Sequence, residues 1–251
     1  MRLCVRQRVY EKALSDLSSL RSSSDFLYVC TLEIDYRCCR TSIPMAQGTY
    51  WNYQGLVRWT HDINRVSEIK VTWRTEIRRF IQHGDIRAAV INGFPSDLDW
   101  SNGRPQPSDS LLIESRGKFY FVADEGFTDA LHQLEQPSGD LSNLLRDDDL
   151  FLQWPLRRSQ KFCESEGMAR PDNRYCWVVE SSWLNILQGI TGVSPRKRPE
   201  FVIAYRTNPD HIKFTFVPQI GMPTYEYRHH GTVADAELKL VEFHQAAQNE
   251  R

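Results

Sequence analysis

The stretch Glu68-Ile69-Lys70-Val71-Thr72-Trp73-Arg74-Thr75-Glu76-Ile77-Arg78 decides the fold class. Ile69, Val71, Trp73, Thr75 and Ile77, continued by Ile81, form one face. Glu68, Lys70, Thr72, Arg74, Glu76 and Arg78 form the other. In an extended chain successive side chains point to opposite sides, so this period of two is the signature of a strand. One apolar face and one charged face fit an antiparallel sheet with a single wet side. Gly84-Asp85 supplies a turn, and Ile86 to Ile91 returns as the partner strand.

The same period extends in both directions. Upstream, Trp51, Tyr53, Val57 and Trp59 alternate with Asn52, Gln54 and Arg58, ahead of a turn at His61-Asp62-Ile63-Asn64. Downstream, Pro95 to Leu98 reads as a single helical turn and Ser101 to Ser108 as a loop, and a hairpin folds about Arg116-Gly117. Further strands are expected at Leu150 to Trp154, Tyr175 to Glu180, Phe201 to Tyr205, Ile212 to Val217, Tyr225 to His229 and Leu238 to Phe243. The period changes only once. Phe127, Ala130, Leu131 and Leu134, then Leu141, Leu144 and Leu145, have helical spacing, with Ser138 and Asp140 as caps for the second run. About ten short strands with hairpin-length links predict an all-β fold, an antiparallel curled sheet or barrel with a small helical insertion near 125–147.

Composition narrows the function classes. The chain has 251 residues, 41% hydrophobic and 25% charged, near the values of globular proteins. Its 31 Lys and Arg against 32 Asp and Glu lack the basic excess of a nucleic-acid binder. No apolar run is long enough to span a bilayer as a helix. Residues 1–44 contain Cys4, Cys30, Cys38 and Cys39 but no Gly and no Trp. They read as an N-terminal arm or extension with an amphipathic helix at Tyr10, Ala13, Leu14, Leu17 and Leu20. Residues 45–244 form a single β-rich domain and 245–251 a tail. Arg2, Arg6 and Arg8 precede no continuous apolar region, so no signal peptide is recognised.

Several residues are candidates for chemistry. Cys163 and Cys176 bracket a polar loop of twelve residues. They form either a disulfide, worth roughly 3 kcal/mol and requiring an oxidising compartment, or two buried thiols. In His229-His230 the imidazoles diverge across the strand, so they cannot share a metal without a bulge. His229 faces inward with Tyr225 and Tyr227, as a core histidine bonded to a tyrosine or to the backbone. No metal site and no cofactor are implied, because the spacings of metal motifs, nucleophile elbows and phosphate loops are missing. Asp97 and Asp99, like Asp147 to Asp149, lie in turn-like sequence and read as caps and turn residues. Arg196-Lys197-Arg198, between Pro195 and Pro199, reads as a solvated loop. Trp51, Tyr53, Trp73, Trp177 and Tyr227, with His229, either line a ligand cavity or fill a solid core.

Two motifs carry a resemblance. Gly48-Thr49-Tyr50-Trp51-Asn52-Tyr53 opens the first core strand, and Tyr227-Arg228-His229-His230-Gly231-Thr232 leads into the last. Together they resemble uncharacterised bacterial domains, usually exported, that open G-x-x-W-x-Y and close Y-x-H-H-G-T. The resemblance implies a curled sheet attached to the cell envelope, and no activity. A cytoplasmic location is the alternative, because no signal peptide is recognised. The expected function is a non-enzymatic envelope or interaction module with a protein partner. The alternatives are a barrel that binds a small apolar ligand and a hydrolase-like enzyme that uses His229.

Overall fold

The computed structural model describes residues 43–62, 65–101, 103–136 and 141–247. The chain divides into two units, Met1–Arg40 and Thr41–Arg251. The expected N-terminal helix, the four N-terminal cysteines, the turn residues Ile63 and Asn64, the caps Ser138 and Asp140, and the end of the tail from residue 248 lie outside the described residues.

Alternating sequence becomes twelve antiparallel strands among the described residues. They are β1 (Tyr50–Asp62), β2 (Arg65–His83), β3 (Ile86–Asn92), β4 (Asp109–Ser115), β5 (Lys118–Val122), β6 (Leu150–Gln153), β7 (Lys161–Phe162), β8 (Trp177–Ile186), β9 (Lys197–Arg206), β10 (Asp210–Val217), β11 (Gly221–His229) and β12 (Ala234–His244). All belong to one sheet in the order β6-β5-β4-β3-β2-β1-β12-β11-β10-β9-β8-β7. Two meanders therefore meet at the β1–β12 pair. The edge strands β6 and β7 approach each other, and the Gln160 side chain donates to the Gln153 carbonyl at 3.2 Å across the seam. The result is a nearly closed, barrel-like sheet that leaves little free edge.

The face assignment along β2 holds as far as Ile77, where Trp73, Thr75 and Ile77 are buried. A bulge between Ile77 and Arg79 then resets the register. Beyond it Phe80 and Ile81 both contact the core, so Ile81 does not simply extend the earlier face. The helical insertion contains one regular helix, α1 (Glu125–Glu135), whose Ala130 and Leu134 are buried against β4 and β5. The second expected helix is reduced to the 3-10 turn Ser142–Leu144.

Three readings are corrected. Among the described residues the strands number twelve, not about ten. The loop after Cys163 contains a short helix, α2 (Ser165–Ala169). Lys197 and Arg198 belong to β9, paired with Ile186 and Asn185, and not to a loop. In each case too few residues alternate between wet and dry for a period to show.

The disulfide between Cys163 and Cys176 is formed, with Cα atoms 4.9 Å apart. It ties the α2 loop to the start of β8. Gly167 lies against it, and a Cβ there would meet both sulfurs at 2.9 and 3.0 Å.

Aromatic side chains bridge the interior across the seam. Phe151 on β6 stacks on Phe214 on β10 at 5.4 Å and meets Trp177 on β8 edge-on at 5.4 Å. Phe94, at the end of β3, joins Phe121 at 4.2 Å and Phe151 at 5.7 Å. Strands on the two sides of the β6–β7 seam are thus joined through the interior, which is how a small barrel is filled by its own aromatics.

Candidate functional site

Two places bring polar groups together: one end of the barrel and the outer face of the sheet. At the end, β10 and β11 pair so that Asp210 lies directly opposite His229, and Ile212 opposite Tyr227. Asp210 Oδ1 accepts from the Tyr227 hydroxyl at 2.7 Å and lies 2.9 Å from His229 Nδ1. An ionised carboxylate can only accept, so Nδ1–H is the donor in this bond. Burial pushes Asp210 upward, but the hydrogen bonds from His229 and Tyr227 outweigh it and hold the carboxyl below its usual range.

The loop between β3 and β4 closes this end and buries its own Pro95 and Leu98. Asp97 accepts from the Ser108 backbone N–H at 2.8 Å and from its hydroxyl at 2.6 Å, which is a turn residue's role. Asp99 behaves differently. Its Oδ2 accepts from the Tyr225 hydroxyl at 2.7 Å, while Oδ1 is shut off from solvent with no partner among the described residues. Burial pushes this carboxyl well above the usual range, although the Tyr225 bond pulls the other way. Reading Asp99 as a turn residue therefore missed a buried acid. Trp100 has a left-handed φ of 59°, a conformation that costs a non-glycine residue about 1 kcal/mol. Its ring meets His229 edge-on at 4.2 Å.

A raised folded-state pKa means the folded protein holds its proton longer than the unfolded chain does. The stabilisation is complete below the unfolded value of about 4 and is lost as pH rises through the folded value. Asp99→Asn, which keeps the acceptor for Tyr225, is expected to gain stability over the parent as pH rises from 5 to 8. Urea unfolding at both pH values checks this; an unchanged difference would place Asp99 in contact with water.

The proposed ligand-lining residues separate by place. Trp51, Tyr53 and Trp73 are buried, and their polar ends are spent on backbone carbonyls. Trp51 donates to Ile220, Tyr53 to Met222 at 3.1 Å and Trp73 to Gly93 at 2.8 Å. Tyr227 and His229 converge on Asp210, as above. Trp177 is half-buried and lines a cleft of about 590 Å³ beside the disulfide, with Tyr175, Tyr205, Glu164 and Arg170. His229 is bonded to a carboxylate, not to a tyrosine or the backbone. Among the described residues, no group of three or more His, Cys, Asp or Glu is arranged to hold a metal ion.

The outer face holds a trough of about 990 Å³. One cross-strand row in it runs Val202, Thr215, Thr224, Lys239, Gln54, Thr72, over six strands from β9 to β2. A second runs Lys213, Glu226, Glu237, Leu56, Lys70. Trp183, 44% exposed, lines the trough from β8. The carboxylates of the second row are already engaged: Glu226 by Arg228, and Glu237 by Arg58 at 3.7 Å and by Arg228 at 3.8 Å. Lys70, Lys213 and Lys239 enter no ion pair among the described residues. Sequence reading missed the trough because it is made by register, which brings residues from six strands into line.

No family model matches the chain, and no curated protein matches it. Among solved structures it is similar to a predicted exported protein with a YmcC-like fold from Bacteroides fragilis, at 10% identity and a TM-score of 0.37, over 82% of this chain and 100% of that one. It is similar to the same degree to a predicted lipoprotein from Parabacteroides distasonis, at 10% identity and a TM-score of 0.37, over 82% of this chain and 99% of that one. Among the described residues, no helix is long and apolar enough to cross a membrane.

Proposed function

We propose that the protein is a non-enzymatic interaction module of the cell envelope, and that it holds an acidic, extended segment of a partner protein in the outer trough. The trough carries the reading. It is a long concavity with an exposed tryptophan and three lysines that enter no ion pair among the described residues. Exposed aromatics and unpaired cations are what an acidic segment with one apolar anchor requires. The Cys163–Cys176 disulfide supports an oxidising compartment and hence an envelope location. An interior ligand is less well supported, because Trp51, Tyr53 and Trp73 already spend their polar groups on the backbone.

The test uses a fluorescein-labelled peptide of alternating Glu and Leu, titrated with the full chain. Saturable binding that weakens with salt is expected, and it is lost when Lys70, Lys213 and Lys239 are all changed to Glu. Equal binding by that variant, or none by the parent, would sink the reading. A second reading, acid–base chemistry at His229, is favoured by its bond to Asp210. Hydrolysis of a chromogenic ester that falls to background in His229→Ala would support it. Equal rates in both proteins would remove it.

A further inference from the structure

The loop between β8 and β9 does not project freely. Thr191 exchanges backbone hydrogen bonds with β12, donating to Val241 and accepting from Phe243, both at 2.9 Å. Leu187 is buried, and Ile190 and Val193 rest on the core. This anchoring brings Arg196 and Arg198 against the end of β12. There they line a small cleft of about 310 Å³ with Ser194, His244 and Gln245.

Among the described residues no carboxylate lines this cleft. Arg198 Nε is buried without a hydrogen-bond partner, and neither guanidinium enters an ion pair among the described residues. Burial pulls Arg198 below its usual range, and the neighbouring Arg196 adds like-charge repulsion. An anion in the cleft pairs with the guanidinium groups that line it and relieves their mutual repulsion. Two adjacent guanidinium groups call for about two negative charges. A dianionic phosphate supplies them and matches the planar fork of arginine, whereas one carboxylate neutralises only half the pair.

We propose that the Arg196–Arg198 cleft is a binding site for a phosphate group, as the free ion or as the exposed headgroup of a phospholipid. The site is separate from the trough and does not depend on it. Arg196 and Arg198 both line the cleft and hold the anion between them. Ser194 and His244 lie within the same cleft as further polar contacts.

Isothermal titration of the full chain with inorganic phosphate, against sodium chloride of equal ionic strength, tests the site. One saturable phosphate per chain is expected. Arg198→Gln should weaken it at least about tenfold, the effect of losing charge-assisted hydrogen bonds. Arg196→Gln should weaken it severalfold, and the exposed Arg158→Gln not at all. Sedimentation with vesicles of phosphatidic acid in phosphatidylcholine separates the sources. Vesicle binding that free phosphate displaces identifies a headgroup, and phosphate binding without vesicle binding identifies the free ion. No saturable phosphate in the parent, or unchanged affinity in both arginine variants, would overturn the proposal.

Discussion

Phe214→Ala is expected to lower the stability of the domain by about 4 kcal/mol, in the range for truncating a buried phenylalanine. Phe214 is 1% exposed and touches rings from two other strands: Phe151 stacked at 5.4 Å and Trp177 edge-on at 5.4 Å. Its loss removes transfer energy and leaves a void that the opposite wall cannot easily close, because Phe151 and Trp177 are fixed on their own strands. Guanidinium unfolding of parent and variant measures the difference. A loss below about 1 kcal/mol would mean that the ring faces free volume.

Gly55→Ala should cost a similar amount, about 4 kcal/mol, at the high end for overpacking. An added Cβ would lie 1.8 Å from the Glu237 carbonyl oxygen and 2.9 Å from Leu238 Cδ2. The first obstacle is backbone, so no rotamer change relieves it. β1 and β12 must separate where Gly55 opposes Leu238, and this pair joins the two meanders. The expected result is a large drop in unfolding midpoint with faster amide exchange along β12. A variant as stable as the parent would show that the strands are farther apart.

Much of the fold was legible because burial on one side of a sheet writes period two into sequence. Glu68 to Ile77 and Ile212 to Val217 are the plainest cases. The second half of β8 was not legible, since Trp183, Leu184 and Ile186 are all exposed and no alternation survives. Nor was the bulge after Ile77, where one extra residue moves Phe80 towards the core.

The site was legible only in part. His229 was singled out, but its partner Asp210 looked like the end of an Asn-Pro-Asp turn. Pairing Phe214 with Tyr225 and counting outward places Asp210 opposite His229, so the register held the answer once the hairpin was recognised. Asp99 had no such signal. It meets Tyr225 through tertiary folding alone, 126 positions away in sequence.

The interior is filled by its own side chains, and the proposed recognition lies on the outer face. Dry apolar cavities take up xenon, and close-packed cores do not. Crystals of the protein pressurised with xenon should show no xenon among Trp51, Tyr53, Trp73, Phe151 and Phe214. A well-occupied xenon inside that ring of residues would contradict the account and restore an interior ligand site.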